Sequence, residues 1–240
     1  MKKRILYTLL IILSYYGINS CSKSDSSTDG GNVVIYKVPV DMAAEYVGLA
    51  FCNDAVGINM HLENAAIFTA KGRSTFDSLF TMKNPISSAD VKYQYNFEYN
   101  FQDFTNPPPY KVLGYNGYGS CSSKTMTSQD NQTGNTWAYT TLDQPQFTVN
   151  GNGNTGGQQY SISDKVFFNS NIKYTFKDVK MDRVTHLAVG GVATITINGT
   201  GPANISFSYT GSLTFTGGRI ATLVLGGSTF TVNLQTGSVK

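Results

Sequence analysis

The chain has few charged residues, and its basic residues form no cluster outside the N-terminus. Charged residues make up 14% of the 240 positions, with 18 Lys and Arg against 15 Asp and Glu. Lys2, Lys3 and Arg4 lie at the N-terminus, ahead of an apolar segment, and without them the two signs balance. A nucleic-acid-binding surface needs clustered Lys and Arg, so nucleic acid is not an expected partner.

Side chains that commonly perform catalysis or bind metals are scarce. The only histidines are His61 and His186, and the Gly-x-Ser-x-Gly motif of many hydrolases is absent. On a strand, His61 and Glu63 would lie on one face, but a zinc site needs three or four ligands and no spacing supplies the others. We therefore expect no cofactor, no metal and no recognisable catalytic residue. An envelope hydrolase that acts on glycans through an unrecognised site is the alternative.

The N-terminal apolar run is too short to cross a bilayer as a helix, which takes about 20 residues. Residues 5–13 follow the basic start and precede Ile18-Asn19-Ser20-Cys21. This order resembles the signal peptide and lipobox of bacterial lipoproteins, although Asn19 replaces the usual small residue. The resemblance implies cleavage after residues 1–20 and a lipid on Cys21, so that the protein is attached to a membrane. An ordinary cleaved signal, with Cys21 left as a thiol, is the alternative.

The layout of the whole chain is similar to that of exported lipoproteins of Bacteroidota. Residues 21–32 are small and polar and are expected to form a flexible tether, because they cannot bury a core. The lipobox, this tether and the closing segments 209–215 and 232–237 carry the resemblance. It implies a lipid-anchored position in the cell envelope, at the outer membrane, and no particular activity. Asp77-Ser78-Leu79 resembles an O-glycosylation site of such proteins, which implies modification of Ser78.

Cys52 and Cys121 remain once Cys21 carries lipid. In an exported protein such a pair can form a disulfide, which would restrict the unfolded chain by about 4 kcal/mol. Two separate buried thiols are the other possibility, since free cysteine is among the most buried residue types. Cys52 is predicted on a helix and Cys121 in a loop, so the sequence leaves both possibilities open.

Hydrophobic periodicity predicts one helix and many strands. Asp41 is a predicted N-cap, and the apolar residues after it recur at helical spacing as far as Asn53. Alternating apolar and polar residues predict a half-buried strand at 58–63 and a long strand at 91–102. Gly114 to Asn135 is predicted as a loop and Asn150 to Asn154 as a turn or loop.

The C-terminal half has the pattern of a β-meander. After Trp137, short alternating segments are separated by turn residues such as Gly217-Gly218 and Gly226-Gly227. Because helices that could connect parallel strands are missing, a doubly wound α/β fold is excluded. The sequence therefore predicts a single mainly β domain over residues 33–240. It would be a large antiparallel sheet or β-sandwich with one N-terminal helix packed on it.

The abundant aromatic residues have two interpretations. Tyr93, Tyr95 and Tyr99 share one face of the predicted long strand, and with Trp137 they could stack on sugar rings. A one-sided row of rings opposite polar residues is also typical of a core face. The sequence thus predicts a non-catalytic envelope lipoprotein that binds a glycan or an envelope protein, or supports a surface assembly, and it leaves the ligand unidentified.

Overall fold

Two α-helices precede a run of β-strands within residues 37–72, 75–84 and 91–240, which the computed structural model describes. The described residues belong to a single compact unit. The predicted signal peptide, the lipidation at Cys21 and the tether lie outside the described residues. The helices are α1 at Val40–Phe51 and α2 at Ile58–Ala70.

Helix α1 confirms the predicted N-terminal helix. Its apolar residues, among them Met42, Tyr46 and Val47, are buried, as their spacing along one helix face requires. The predicted cap is wrong, because the helix begins after Pro39 without a side-chain cap and Asp41 lies in its first turn.

Helix α2 replaces the strand predicted at 58–63, and that prediction is wrong. The alternation that suggested a strand is short, whereas the buried residues Ile58, Leu62, Ala65, Ala66 and Thr69 follow helical spacing. On a helix, residues two positions apart point about 200° from each other around the axis. His61 and Glu63 therefore do not share a face.

In the described part of the chain, ten strands follow the helices and form one sheet in which each pairs antiparallel with its neighbours in sequence. Their bounds are β1 Phe76–Asn84, β2 Lys92–Phe104, β3 Tyr110–Ser122, β4 Met126–Thr140, β5 Gln146–Ser161, β6 Val166–Asp182, β7 Ala188–Thr200, β8 Ser206–Gly217, β9 Ile220–Leu225 and β10 Ser228–Asn233. Near the C-terminus, Val239 pairs with Val232 at the β10 edge. The predicted fold class is confirmed as mainly β with a large antiparallel sheet, although the meander covers both halves of the chain and two helices pack on it.

The two glycine-rich segments predicted as loops are strands. Residues 114–135 lie mostly in β3 and β4, and residues 150–154 lie in the middle of β5. Two of their glycines accommodate large side chains of the neighbouring strand: a Cβ atom at Gly117 would overlap the Phe97 ring, and one at Gly153 would overlap Tyr174. At these two positions glycine is present for close packing within the sheet, not for a turn.

The sheet curls around the helices. The His61 ring on α2 lies 4.5 Å from the Phe97 ring on β2, while Glu63, also on α2, pairs with Arg219 between β8 and β9. In a flat sheet β2 and β8 would be about 29 Å apart, and a helix with its side chains is only about 10–12 Å wide. The sheet therefore has an inner face, covered by the helices and the core, and an outer face toward solvent.

Candidate functional site

The rings that the sequence nominated for ligand binding lie mostly in the core. Tyr95, Tyr99 and Trp137 are buried on the inner face, and the Trp137 side chain is 0% exposed. The Tyr95 hydroxyl donates a hydrogen bond of 2.9 Å to Asp130. Buried rings cannot stack on a ligand from solvent, so their burial supports the core interpretation. Tyr93 is half-buried at the start of β2.

His61 is a neutral core residue. It is fully buried, its Nδ1 atom is hydrogen bonded to the Tyr99 hydroxyl, and its ring centre lies 4.3 Å from that of Tyr115. Burial lowers its pKa to about 3, because the charged imidazolium would lose its hydration. His186 lies in the connection between β6 and β7.

Glu63 has a structural role in the described fold. Its carboxylate accepts hydrogen bonds from Asn53 at 2.8 Å and Asn59 at 3.0 Å. It also accepts two from the Arg219 guanidinium, at 3.0 and 2.9 Å. The bonds from Asn53 and Arg219 join α2 to the segment before it and to the β8–β9 turn, whereas the bond from Asn59 lies within α2. No group of three or more His, Cys, Asp or Glu that could hold a metal ion occurs among the described residues.

Cys52 and Cys121 are separate buried thiols in this structure. Cys52 directly follows α1 and donates a hydrogen bond of 3.4 Å to the Leu49 carbonyl. Cys121 lies on β3 and not in the predicted loop. Burial raises the pKa of Cys52 to about 12 and also raises that of Cys121, because the thiolate is disfavoured away from water. The structure corresponds to the two-thiol alternative.

Ser78 is half-buried on β1 opposite Tyr99, and the neighbouring Leu79 is 82% exposed. Its O-glycosylation stays a prediction. Within the described ranges, neither helix has the length and apolar character to span a membrane.

A buried carboxylate that the sequence did not reveal organises the inner face. Asp130 on β4 accepts hydrogen bonds from Tyr46 at 2.8 Å, Tyr95 at 2.9 Å, Ser128, and Gln159 at 3.4 Å. Burial raises the pKa of Asp130, and the hydrogen bonds from these four side chains oppose that rise. The network ties α1 to β2, β4 and β5, so Asp130 is an anchor for the helix on the sheet.

The outer face carries two adjacent rows of side chains without charge. Each row runs across the strands from β2 to β8, as the pairing registers show. The first row consists of Gln94, Ser120, Gln129, Gln158, Asn169, Thr200 and Ser206, and the second of Asn96, Tyr118, Asn131, Gly156, Asn171, Asn198 and Ser208. We call these two rows the outer polar face. Apart from one tyrosine and one glycine, its side chains are amides and hydroxyls, which both donate and accept hydrogen bonds.

A groove of about 450 Å³ lies at one margin of the outer polar face. Its lining comes from the β2–β5 part of the first row and from the next row outward, in which Lys92, Ser122, Thr127, Tyr160 and Phe167 are paired across β2 to β6. The inner-face residues Cys121, Ser128 and Gln159 also contribute to it. Short hydroxyl side chains, Ser120, Ser122 and Thr127, are flanked by longer side chains on both sides. The groove therefore follows from side-chain length, and the half-buried Tyr93 borders it.

An aromatic pair bounds the groove on the β5–β6 side. Phe167 is 61% exposed, and its ring centre lies 4.4 Å from that of Tyr160, with an angle of 36° between the planes. A second depression of about 360 Å³ adjoins the second row and includes Tyr118, which is 65% exposed. Exposed rings thus accompany the amides and hydroxyls at two places on one face.

The groove residues could not be found from local patterns, since they come from five strands and meet only through pairing register. The comparisons with known proteins supply no family for this arrangement: no family model, no curated protein and no solved structure matches the chain.

Proposed function

We propose that the chain is a non-catalytic lipoprotein of the cell envelope that binds a partner through the outer polar face of its sheet. Cys21 would hold it to a membrane, and the tether of residues 21–32 would separate the folded part from the lipid. The observation that carries the binding proposal is the outer polar face itself. A broad surface of amides, hydroxyls and exposed rings is suited to hydrogen bonding and stacking with an uncharged partner.

The inner face does not offer a comparable surface, because the helices and the buried rings cover it. Trp137, Tyr139 and Tyr174 are fully or almost fully buried there. The hydrolase alternative would need two carboxyl groups flanking a cleft, as in most glycosidases. The groove is lined by amides, hydroxyls, rings, the Cys121 thiol and one lysine, which is chemistry for binding.

The binding surface is tested with full-length protein in detergent and immobilised cell-wall and surface-polysaccharide preparations of a Bacteroidota host. The variant Asn131→Lys/Gln158→Lys places two charges on the outer polar face. Its matched control, Thr105→Lys/Gln144→Lys, places them on exposed loops. We expect the control to be retained like the wild type and the face variant to be retained about tenfold less, because two charges must be desolvated at the interface. Equal retention of all three proteins would refute the proposed surface.

The anchor is tested separately by growing cells with a radiolabelled fatty acid. The wild-type protein should take up label and Cys21→Ala should not. Label on the alanine variant would remove the lipoprotein part of the proposal and leave the surface part standing.

A further inference from the structure

The groove beside the outer polar face has the chemistry of a sugar-binding site. Its polar lining includes three glutamines of the outer face, Gln94, Gln129 and Gln158, each with a carbonyl acceptor and an amide group with two donors. A sugar hydroxyl also donates and accepts, so one glutamine amide can pair with two neighbouring hydroxyls. The short hydroxyl side chains between the glutamines leave the volume in which such a ligand would lie.

The aromatic pair supplies the complementary apolar contact. Phe167 is exposed and lies against Tyr160 at the side of the groove. The flat face of an aromatic ring attracts C–H groups, which carry partial positive charge, and a pyranose presents such groups on one side of its ring. The groove therefore offers a stacking surface beside amides that can reach the ring hydroxyls.

Charge complementarity favours an uncharged glycan over an acidic one. Lys92, at the β2 end, is the one charged side chain in the lining, and three strand spacings, about 14 Å, separate β2 from β5. An acidic glycan would place several carboxylates along the groove, and only Lys92, at one end, could pair with them. A neutral glycan needs no countercharge along the groove, and the exposed Lys92 at one end can stay solvated.

We infer that this groove is a binding subsite for a neutral glycan, with Phe167 and Tyr160 as the stacking surface and Gln94, Gln129 and Gln158 as the hydroxyl-binding groups. The inference rests on the proposed function and adds the ligand class and the residues. A neutral peptide is the competing occupant, because its backbone also carries donors and acceptors, and the experiment below includes it.

The test is a titration of the full-length lipoprotein in a detergent without a sugar headgroup, which would otherwise compete. The probes are neutral oligosaccharides of glucose, mannose, galactose and xylose, oligomers of galacturonic acid, and a neutral Ser/Asn-rich peptide. The groove variants are Phe167→Ser and Gln158→Glu. The matched control is Phe104→Ser, since Phe104 is also exposed and stacked on a tyrosine, with ring centres 4.6 Å apart, but lies at the far end of β2.

We expect at least one neutral oligosaccharide to bind, each groove variant to weaken it about tenfold, and the control to change it by less than about twofold. Thermal unfolding of each variant confirms that it is folded. Binding only of galacturonic acid oligomers, binding only of the peptide, or equal weakening by Phe104→Ser would overturn the inference. Absence of oligosaccharide binding, with envelope retention still dependent on the outer polar face, would refute the glycan and leave the proposed function intact. Retention that does not depend on the face would refute the proposed function itself.

Discussion

Replacing Asp130 by alanine removes the acceptor that holds α1 against the sheet. Three buried hydroxyls, those of Tyr46, Tyr95 and Ser128, donate to its carboxylate, and each would lose its partner. A buried donor without an acceptor costs about 1–3 kcal/mol, and breaking a buried charged network costs about 3–5 kcal/mol in total because neighbouring groups share the loss. For a domain of this size, that corresponds to a melting temperature lower by about 6–20 °C.

The isosteric change gives a finer test. Asp130→Asn keeps the shape and one acceptor oxygen but turns an NH₂ group toward hydroxyl donors, so we expect a loss of about 1–3 kcal/mol. Asp178→Asn is the matched control, because Asp178 is exposed on β6 and asparagine tolerates its positive φ of 52°. The control should change the free energy of unfolding by less than about 0.5 kcal/mol. Urea unfolding followed by circular dichroism measures both.

The pH dependence has a definite sign. Burial raises the pKa of Asp130 in the folded chain, so the folded chain keeps a proton that the unfolded chain releases near pH 3.9. The contribution of Asp130 to the free energy of unfolding is therefore greatest below about pH 4, and it decreases as the pH rises through the pKa of Asp130 in the folded state. The free energy of unfolding of Asp130→Asn should decrease less steeply over that pH range. A melting temperature of Asp130→Ala within about 2 °C of the wild type, or an unchanged pH slope in Asp130→Asn, would refute this account of the anchor.

Three further predictions concern the thiols, the α2 ion pair and the glycine-rich strands. Cys52 and Cys121 should not react with Ellman's reagent in the folded protein at about pH 8, because burial raises both thiol pKa values. Rapid reaction would contradict their burial, and no reaction even in denaturant would reveal a disulfide. Arg219→Gln should lower the free energy of unfolding, measured in urea, by about 1–2 kcal/mol, because the carboxylate of its partner Glu63 is mostly buried while the guanidinium is partly exposed. No change would show that the ion pair is dispensable. Gly117→Ala should cost about 1–3 kcal/mol by crowding an aromatic ring, while Gly190→Ala, where a Cβ meets open space, should cost less; similar losses in the two variants would contradict the close packing.

Elements with one apolar and one polar face could be predicted from the sequence. Helix α1 and strand β2 have that pattern, and so do the short strands after Gly211. In each case the inner face is made of hydrophobic side chains, which reveal the period of the element. The C-terminal glycines at 217–218 and 226–227 do form turns, where positive φ angles favour glycine.

Most of β3 and β4 and the middle of β5 cannot be recognised as strands from the sequence, because their inner face is not uniformly hydrophobic. On β4 the inner positions Ser128, Asp130 and Gln132 are buried polar residues, so the alternation disappears from the sequence. Their partners in the network come from α1, β2 and β5, and no local window contains them. Glycines packed under rings of neighbouring strands gave the same segments the composition of a loop.

The proposed groove could not be predicted from the sequence for a related reason. The regular row of tyrosines on β2 is conspicuous in the sequence because it is a core face. The groove residues, by contrast, are neighbours across strands: Ser120 lies beside Gln129, and Tyr160 beside Phe167, only through the register of pairing. That register depends on the complete meander and is not visible in any single segment.

The most direct test of the outer polar face as the binding surface is hydroxyl-radical footprinting of the full-length protein with mass spectrometry. Without ligand, Tyr118 and Phe167 should be oxidised and Trp137 should not. With a saturating neutral oligosaccharide, protection should appear at Phe167 and Tyr160 while Phe104 stays unchanged. Oxidation of Trp137 in the folded protein, or ligand protection at Phe104 without protection of the groove, would contradict the account.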